Sequence, residues 1–165
     1  MNLKQILIVP LKAVPNSLVI VALVIALAGF VDASYLTIEQ YQNAIPPCSI
    51  GSCETVLSSA YSTVLGIPVS LMGAIYYLIV MVGFFAYLEG KKVWILEWTL
   101  RLGTLGFLAS LWFVYLQLFV LHAICVYCMG SATSSTLLFV CSIVVFSKYR
   151  AAINHPNETI QYPHN

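Results

Sequence analysis

Charge is what this sequence most lacks. Only 8% of its 165 residues are Asp, Glu, Lys or Arg, where a soluble domain carries about 25%. A surface solvated by water cannot be built from so few ions. Basic runs are missing as well. The formal net charge is +1, and phosphate backbones demand Lys/Arg clusters, so nucleic acid is excluded as a partner. There is no internal repeat and no low-complexity tract, which leaves one compact domain as the simplest organisation.

What is present is hydrocarbon. Hydrophobic residues make up 61% of the chain and the mean hydropathy is +0.93, so the lipid bilayer is the solvent for most of it. A helical span needs roughly 20 apolar residues, and four stretches qualify. The first covers 17–37, with Asp32 its only charge. The second covers 66–88 and opens with Ile67-Pro68, a proline being tolerated in a first helical turn. The third, 94–121, is long enough to tilt, and the fourth covers 124–147. Lipid permits no free sheet edge, so these must be helices. The expected fold is an all-α membrane protein. It is a four-transmembrane-helix bundle forming a single domain over 1–150, with an outward cysteine loop, 38–65, between helices 1 and 2. A short cytoplasmic tail, 151–165, follows. Ala26 and Ala28 resemble a signal-peptidase site, but the apolar run continues to Leu36, so the first span is expected to remain as an uncleaved anchor.

Orientation follows from the few cations. With both termini cytoplasmic, the inside holds Lys4, Lys12, Lys91, Lys92, Lys148 and Arg150, and Arg101 snorkels toward the same side. None of the seven Lys/Arg lies in 38–65. The positive-inside rule then sends that segment, and the short Leu121-His122-Ala123 turn, outward.

Five cysteines sit at 48, 53, 125, 128 and 141. Cys48 and Cys53 occupy the outward loop, after Pro46-Pro47 and around Ser49-Ile50-Gly51-Ser52. Cys125 and Cys128 form a C-x-x-C at the outward start of the fourth span. Four of the five therefore converge on the membrane face where disulfides persist. A loop disulfide alone is commonplace; two pairs on one face carry more weight. Residues three apart on a helix share a face, and the unpaired amides and dipole of a helix N-terminus stabilise a thiolate. That makes the cysteine in the first turn, Cys125, the better participant in thiol–disulfide exchange. Cys128, a turn deeper, is within reach of a lipid-soluble acceptor. Cys141 lies 13 residues beyond Cys128, roughly 20 Å along a helix. It is too far to join the outward pairs and reads as a small hydrophobe. Two rivals compete. Covalent haem would need His after the C-x-x-C, where Met129 stands. Zinc could take four cysteines, but the outward face is oxidising. A non-enzymatic membrane protein with structural disulfides or a metal site is the alternative from another class.

An ordered set of motifs is more specific than any one of them. It comprises Asp32-Ala33-Ser34-Tyr35-Leu36-Thr37 closing the first span and the loop pair Cys48/Cys53. It continues with Val56-Leu57-Ser58-Ser59-Ala60-Tyr61-Ser62-Thr63, Gly66-Ile67-Pro68-Val69-Ser70-Leu71-Met72-Gly73 and Cys125-Val126-Tyr127-Cys128. In these the chain resembles the vitamin K epoxide reductase family, in its bacterial quinone-linked form. The resemblance implies a four-helix bundle enclosing a quinone of ubiquinone or menaquinone type near the outer face of a bacterial inner membrane. It implies that Cys48 exchanges with a thioredoxin-like thiol oxidase, that Cys53 relays to Cys125, and that Cys128 reduces the quinone. Ser59 matches the family serine beside the quinone. The resemblance implies no metal. There are departures. Cys48 and Cys53 are only five apart, a tighter spacing than in several relatives. The tyrosine and the polar residue that vertebrate members carry are here Ala132 and Val69, which bears on epoxide reduction and not on quinone reduction. Some members continue into a fifth span and a fused thioredoxin-like domain. Residues 151–165 are too few for either, so the electron donor is expected to be a separate protein.

Other residues stay open at this stage. Asp32 is either a proton carrier for the quinone or an acid hydrated at the headgroups. His122 is either an aid to thiol deprotonation or merely solvated. Trp112, Phe113, Tyr115 and Phe119 are either pocket wall or an interfacial aromatic belt. Gly51 suits a loop that must move. The sequon at 157–159 falls on the inward tail and reads as chance.

Overall fold

The computed structural model describes residues 15–154 except 43, 45, 49–51, 91 and 92. Expectations resting on Lys4, Lys12, Gly51, Lys91, Lys92 and the sequon lie outside the described residues, and of Arg150 only the backbone is described. In chain order the elements are helix α1 (Asn16–Tyr41), the short helix α2 (Cys53–Leu57), strands β1 (Thr63–Val64) and β2 (Ile67–Pro68), and helices α3 (Val69–Gly90) and α4 (Val93–Tyr115). A π-helical turn (Leu116–Val120) and helix α5 (Val126–Asn154) complete the set. Four of these are long and apolar enough to cross a membrane, α4 together with its π-helical turn. They form the all-helical bundle.

Small residues let the helices approach. Val19, Ala22, Ala26, Gly29, Ala33 and Leu36 recur every three or four positions along α1 and are all buried, a stripe that faces α3 and α5. Opposite it, α3 buries Tyr77, Val80, Phe84 and Tyr87 at the same spacing. The Tyr77 ring lies so close to Gly29 that a Cβ there would overlap it. Packing of this kind, rather than expulsion of water, drives helix association in lipid. Hydroxyls supply the polar ties. Tyr77 donates to the Ser131 carbonyl at 2.7 Å and its oxygen lies 2.8 Å from the Ser134 hydroxyl, joining α3 to α5. Ser110 and Ser135 hydroxyls are 2.5 Å apart and join α4 to α5. The large apolar side chains left exposed, such as Val24, Val31, Val82 and Leu105, are those that lipid can cover.

Several boundaries differ from expectation. The helix of the second span begins at Val69, because Leu65 and Gly66 take φ of 54° and 81°, the pattern of a two-residue hairpin turn. Thr63 then pairs with Pro68 and Val64 with Ile67, so Pro68 precedes the helix instead of opening its first turn. The third span does not stay α-helical to its end. The Leu121 amide donates to the Leu116 carbonyl at 2.8 Å, a five-residue step that widens the last turn. Arg101 is exposed and paired with Glu97 one turn earlier, at 3.3 Å.

Gly29→Ala should lower the unfolding midpoint of the detergent-solubilised protein, by an overpacking cost of about 1–3 kcal/mol, since Tyr77 is tethered and cannot retreat. Gly130→Ala, with nothing within 4 Å of the new methyl group, should not lower it.

Candidate functional site

The site is built where the chain turns from α4 into α5. His122 takes a positive φ of 49° and reverses the backbone. Gln117, on the π-helical turn, secures both ends of the reversal. Its carbonyl accepts the Ala123 amide at 3.0 Å, and its side-chain Oε1 accepts the Cys125 amide at 2.9 Å. The Cys125 carbonyl in turn accepts the Met129 amide at 3.0 Å, so Cys125 stands at the very start of α5 and Cys128 lies one turn along it.

The cysteine loop between α1 and α3 is held against this helix start at two points that flank its cysteines. The Ser52 amide donates to the Ile124 carbonyl at 2.9 Å, and the Tyr127 hydroxyl donates to the Pro47 carbonyl at 3.3 Å. The Tyr127 ring also packs on Tyr35 of α1, with centroids 5.4 Å apart. Cys48 and Cys53 are disulfide-bonded, their Cα atoms 6.2 Å apart, while Cys125 and Cys128 are free thiols. Cys53 and Cys125 are fully buried in one apolar cluster with Val56 and Ala123, and Cys48, Tyr127 and Cys128 pack around it. Cys48, Cys53, Cys125 and Cys128 are thus brought together. Cys141 is not among them; it packs, half-buried, on the main helical core.

Cys125 lies one residue ahead of the membrane-crossing part of α5, Val126–Lys148. A hydrogen bond from the Cys128 thiol holds the Cys125 thiol below its ordinary range, against the opposing effect of burial, and the backbone amides of Cys128 and Tyr127 add to it. This is the N-terminal thiolate site that the C-x-x-C spacing implies, with the neighbouring thiol contributing more than the amides.

Beneath the cysteines lies a cavity of about 460 Å³, within the range of small-molecule sites. Val56 and Leu57 of α2 form part of its wall, together with Leu36, Tyr76, Phe113, Gln117 and Cys128. Among the described residues Cys128 is the one cysteine lining it. Ser59 also lines it, its hydroxyl donating to the Val56 carbonyl at 2.7 Å. So do Val69 and Ala132. The aromatic question is resolved by burial. Phe113 is in the cavity wall, whereas Trp112, Tyr115 and Phe119 are 57%, 49% and 66% exposed and stack on one another along the outer face. Asp32 is half-buried, its Oδ2 without a hydrogen-bond partner among the described residues, and it is not part of the cavity lining. His122 is exposed.

Gln117 is the residue that sequence reasoning missed. Its signal was available: an uncharged polar side chain inside an apolar span, eight residues before a cysteine, is costly in lipid and needs a purpose.

Thiolate absorbance in the reduced protein should reveal one cysteine titrating below the ordinary thiol range. Cys128→Ala, which removes the donor to Cys125, should move that titration upward. Cys128→Ser, which keeps a donor there, should move it less. No upward movement in the alanine variant would show that the neighbouring thiol does not set the acidity of Cys125.

The model of the vitamin K epoxide reductase family matches residues 20–143. Among curated proteins the chain finds no match. The matched stretch takes in all four clustered cysteines and most of the helices that position them: the chain belongs to the vitamin K epoxide reductase family and is a membrane oxidoreductase of thiols and disulfides.

Proposed function

We propose that the protein takes two electrons from the dithiol of a separate thioredoxin-like protein and passes them through Cys48/Cys53 and Cys125/Cys128 to a membrane quinone of ubiquinone or menaquinone type. In sum, a protein dithiol and a quinone become a protein disulfide and a quinol. The observation that carries this reading is the layering of the cysteines. Cys48 is half-buried at the loop, Cys53 and Cys125 are sealed together, and Cys128 lines the cavity.

A partner thiolate attacks the Cys48 sulfur, the Cys48–Cys53 bond breaks and Cys53 leaves as thiolate. The partner's second thiol displaces Cys48, so the partner is oxidised and the loop pair is reduced. Cys53 then attacks Cys125 of an oxidised helix pair, and Cys128 leaves as thiolate. Cys48 attacks Cys53 and restores the loop disulfide, releasing Cys125. The described state, an oxidised loop above a reduced helix pair, corresponds to this stage. Re-forming the Cys125–Cys128 bond releases two electrons and two protons. A quinone bound in the cavity would supply the acceptor for them. Its fit is supported by apolar walls with Tyr76 and Phe113 in them and few polar groups, Ser59 and Gln117 among these. Cys128 is the sulfur presented there, and Cys125 the thiolate that closes the disulfide. Disulfide formation in proteins outside the membrane is the consequence.

The same reading assigns 1–150 to one membrane domain and 151–165 to a cytoplasmic tail. It puts both termini in the cytoplasm of a bacterial cell and the cysteines on the periplasmic or exterior side, because the cations cluster on the other side.

Purified protein should reduce a quinone anaerobically when a reduced thioredoxin-like donor is supplied. Cys125 or Cys128 variants should fall to background, and Cys141→Ser should keep nearly full turnover. In Cys53→Ala, oxidised partner should be trapped on Cys48 as a mixed disulfide. In Cys128→Ala, the Cys125 thiolate can attack Cys53 of the loop disulfide with Cys48 leaving. The internal Cys53–Cys125 bond should accumulate because no Cys128 is there to displace Cys53, and non-reducing gels and mass spectrometry read it directly. A partner adduct found on Cys53 instead would reverse the assigned order of exchange. Lysines labelled by a membrane-impermeant reagent outside sealed cells would overturn the orientation.

A further inference from the structure

Gln117 is 3% exposed and its backbone and side chain are both committed to the C-x-x-C turn, but only by half. The Cys125 amide can only donate, so the atom it meets at 2.9 Å must be the amide oxygen, which fixes the orientation of the side chain. The other half, Nε2, carries two N–H donors. Among the described residues no acceptor faces it. It is also not sealed in protein: the buried polar atoms without a partner include the Tyr76 hydroxyl and Asp32 Oδ2 but not Gln117 Nε2. Gln117 lines the same cavity as Cys128. A donor left open toward an apolar cavity that has one cysteine thiol in its wall matches a ligand that brings a carbonyl oxygen to that thiol.

Resting on the quinone reading above, we propose that Gln117 is the side chain that orients the quinone. Nε2 donates a hydrogen bond to a ring carbonyl oxygen, while Oε1 holds the first amide of the Cys125–Cys128 turn. One rigid amide then spans the electron-donating pair and its acceptor, so their separation is set by a single planar group. The same donor stabilises negative charge developing on the carbonyl oxygen as electrons arrive. Gln117 also accounts for polarity at a depth where leucine would serve packing better. Its two contacts need both ends of an amide, which neither leucine nor an ionised carboxylate provides.

The two roles separate in binding measurements on the oxidised protein, in which Cys48, Cys53, Cys125 and Cys128 do not titrate. The probe is a short-chain ubiquinone analogue, followed by quenching of the native tryptophan fluorescence. Gln117→Glu keeps an acceptor for the Cys125 amide and loses the donor when ionised. Gln117→Leu loses both. The other ionisable groups around the cavity and turn include Tyr61, Tyr76, Tyr77, Tyr127, Asp32 and His122. All are shared with the wild type, whose pH profile is the baseline. We expect ionised Gln117→Glu and Gln117→Leu to bind the analogue about tenfold more weakly, the loss of one neutral hydrogen bond. As pH falls and the introduced carboxyl gains a proton to donate, Gln117→Glu should recover affinity relative to the wild type, and Gln117→Leu should not. Wild-type affinity in Gln117→Glu at every pH, or weakened binding without recovery at low pH, overturns the assignment. Either result leaves the quinone reading intact, because the wild type still binds. Failure of the wild type to bind the analogue is the separate result that removes the quinone reading itself. Should the leucine variant not fold, the pH profile of the glutamate variant decides alone.

Discussion

The hydrogen bond from the Ser52 amide to the Ile124 carbonyl, 2.9 Å long, joins two segments that lie 72 positions apart in the chain. Ser52 precedes Cys53 and Ile124 precedes Cys125, so this one contact sets one cysteine pair beside the other. Tyr127 does the same on the far side of the loop, through the Pro47 carbonyl beside Cys48. Ordinary hydrogen bonds are each worth about 1 kcal/mol net. A loop held by two of them, and by the burial of Cys53, is positioned without being locked. The relay proposed above needs that balance, since Cys48 must meet a protein outside while Cys53 meets Cys125 within.

Beneath the clamp, lipid as solvent explains the rest of the architecture. Helices in hydrocarbon gain nothing from hiding leucine, so they meet through alanine and glycine on α1 and through the hydroxyls of Tyr77, Ser110, Ser131, Ser134 and Ser135. Several of these same residues, Tyr77, Ser110, Ser131 and Ser135, also line the cavity. The π-helical turn at Leu116–Val120 carries Gln117 into the cavity wall. The widened turn thus serves the cavity wall and the entry into α5 together.

The order of exposure among the sulfurs has a chemical consequence. Exchange needs a thiolate and a disulfide in line, and in the proposed relay the burial of Cys53 with Cys125 would keep that step from water and foreign thiols. A proton must still leave when Cys125 acts, and a hydrogen bond from Cys128 favours its loss. The deeper thiol of the helix pair therefore tunes the one at the helix start.

Composition and hydropathy by themselves determined the membrane class and the four helical spans, because lipid leaves a backbone of this length no other way to satisfy its amides. The cysteine positions and the surrounding motifs likewise determined the family, since they recur in a specific order along the chain. Tertiary structure alone decided the rest. Which of Trp112, Phe113, Tyr115 and Phe119 faces the cavity depended on the rotation of α4, which periodicity cannot supply when all faces are apolar. Pro68 went to a strand because a two-residue turn at Leu65-Gly66 folded the chain back before the helix could start. Gln117 met Cys125 through a π-helical turn, a five-residue step that leaves no regular pattern in a sequence. The meeting of Cys53 with Cys125 rests on hydrogen bonds between segments that the sequence separates and only the fold unites.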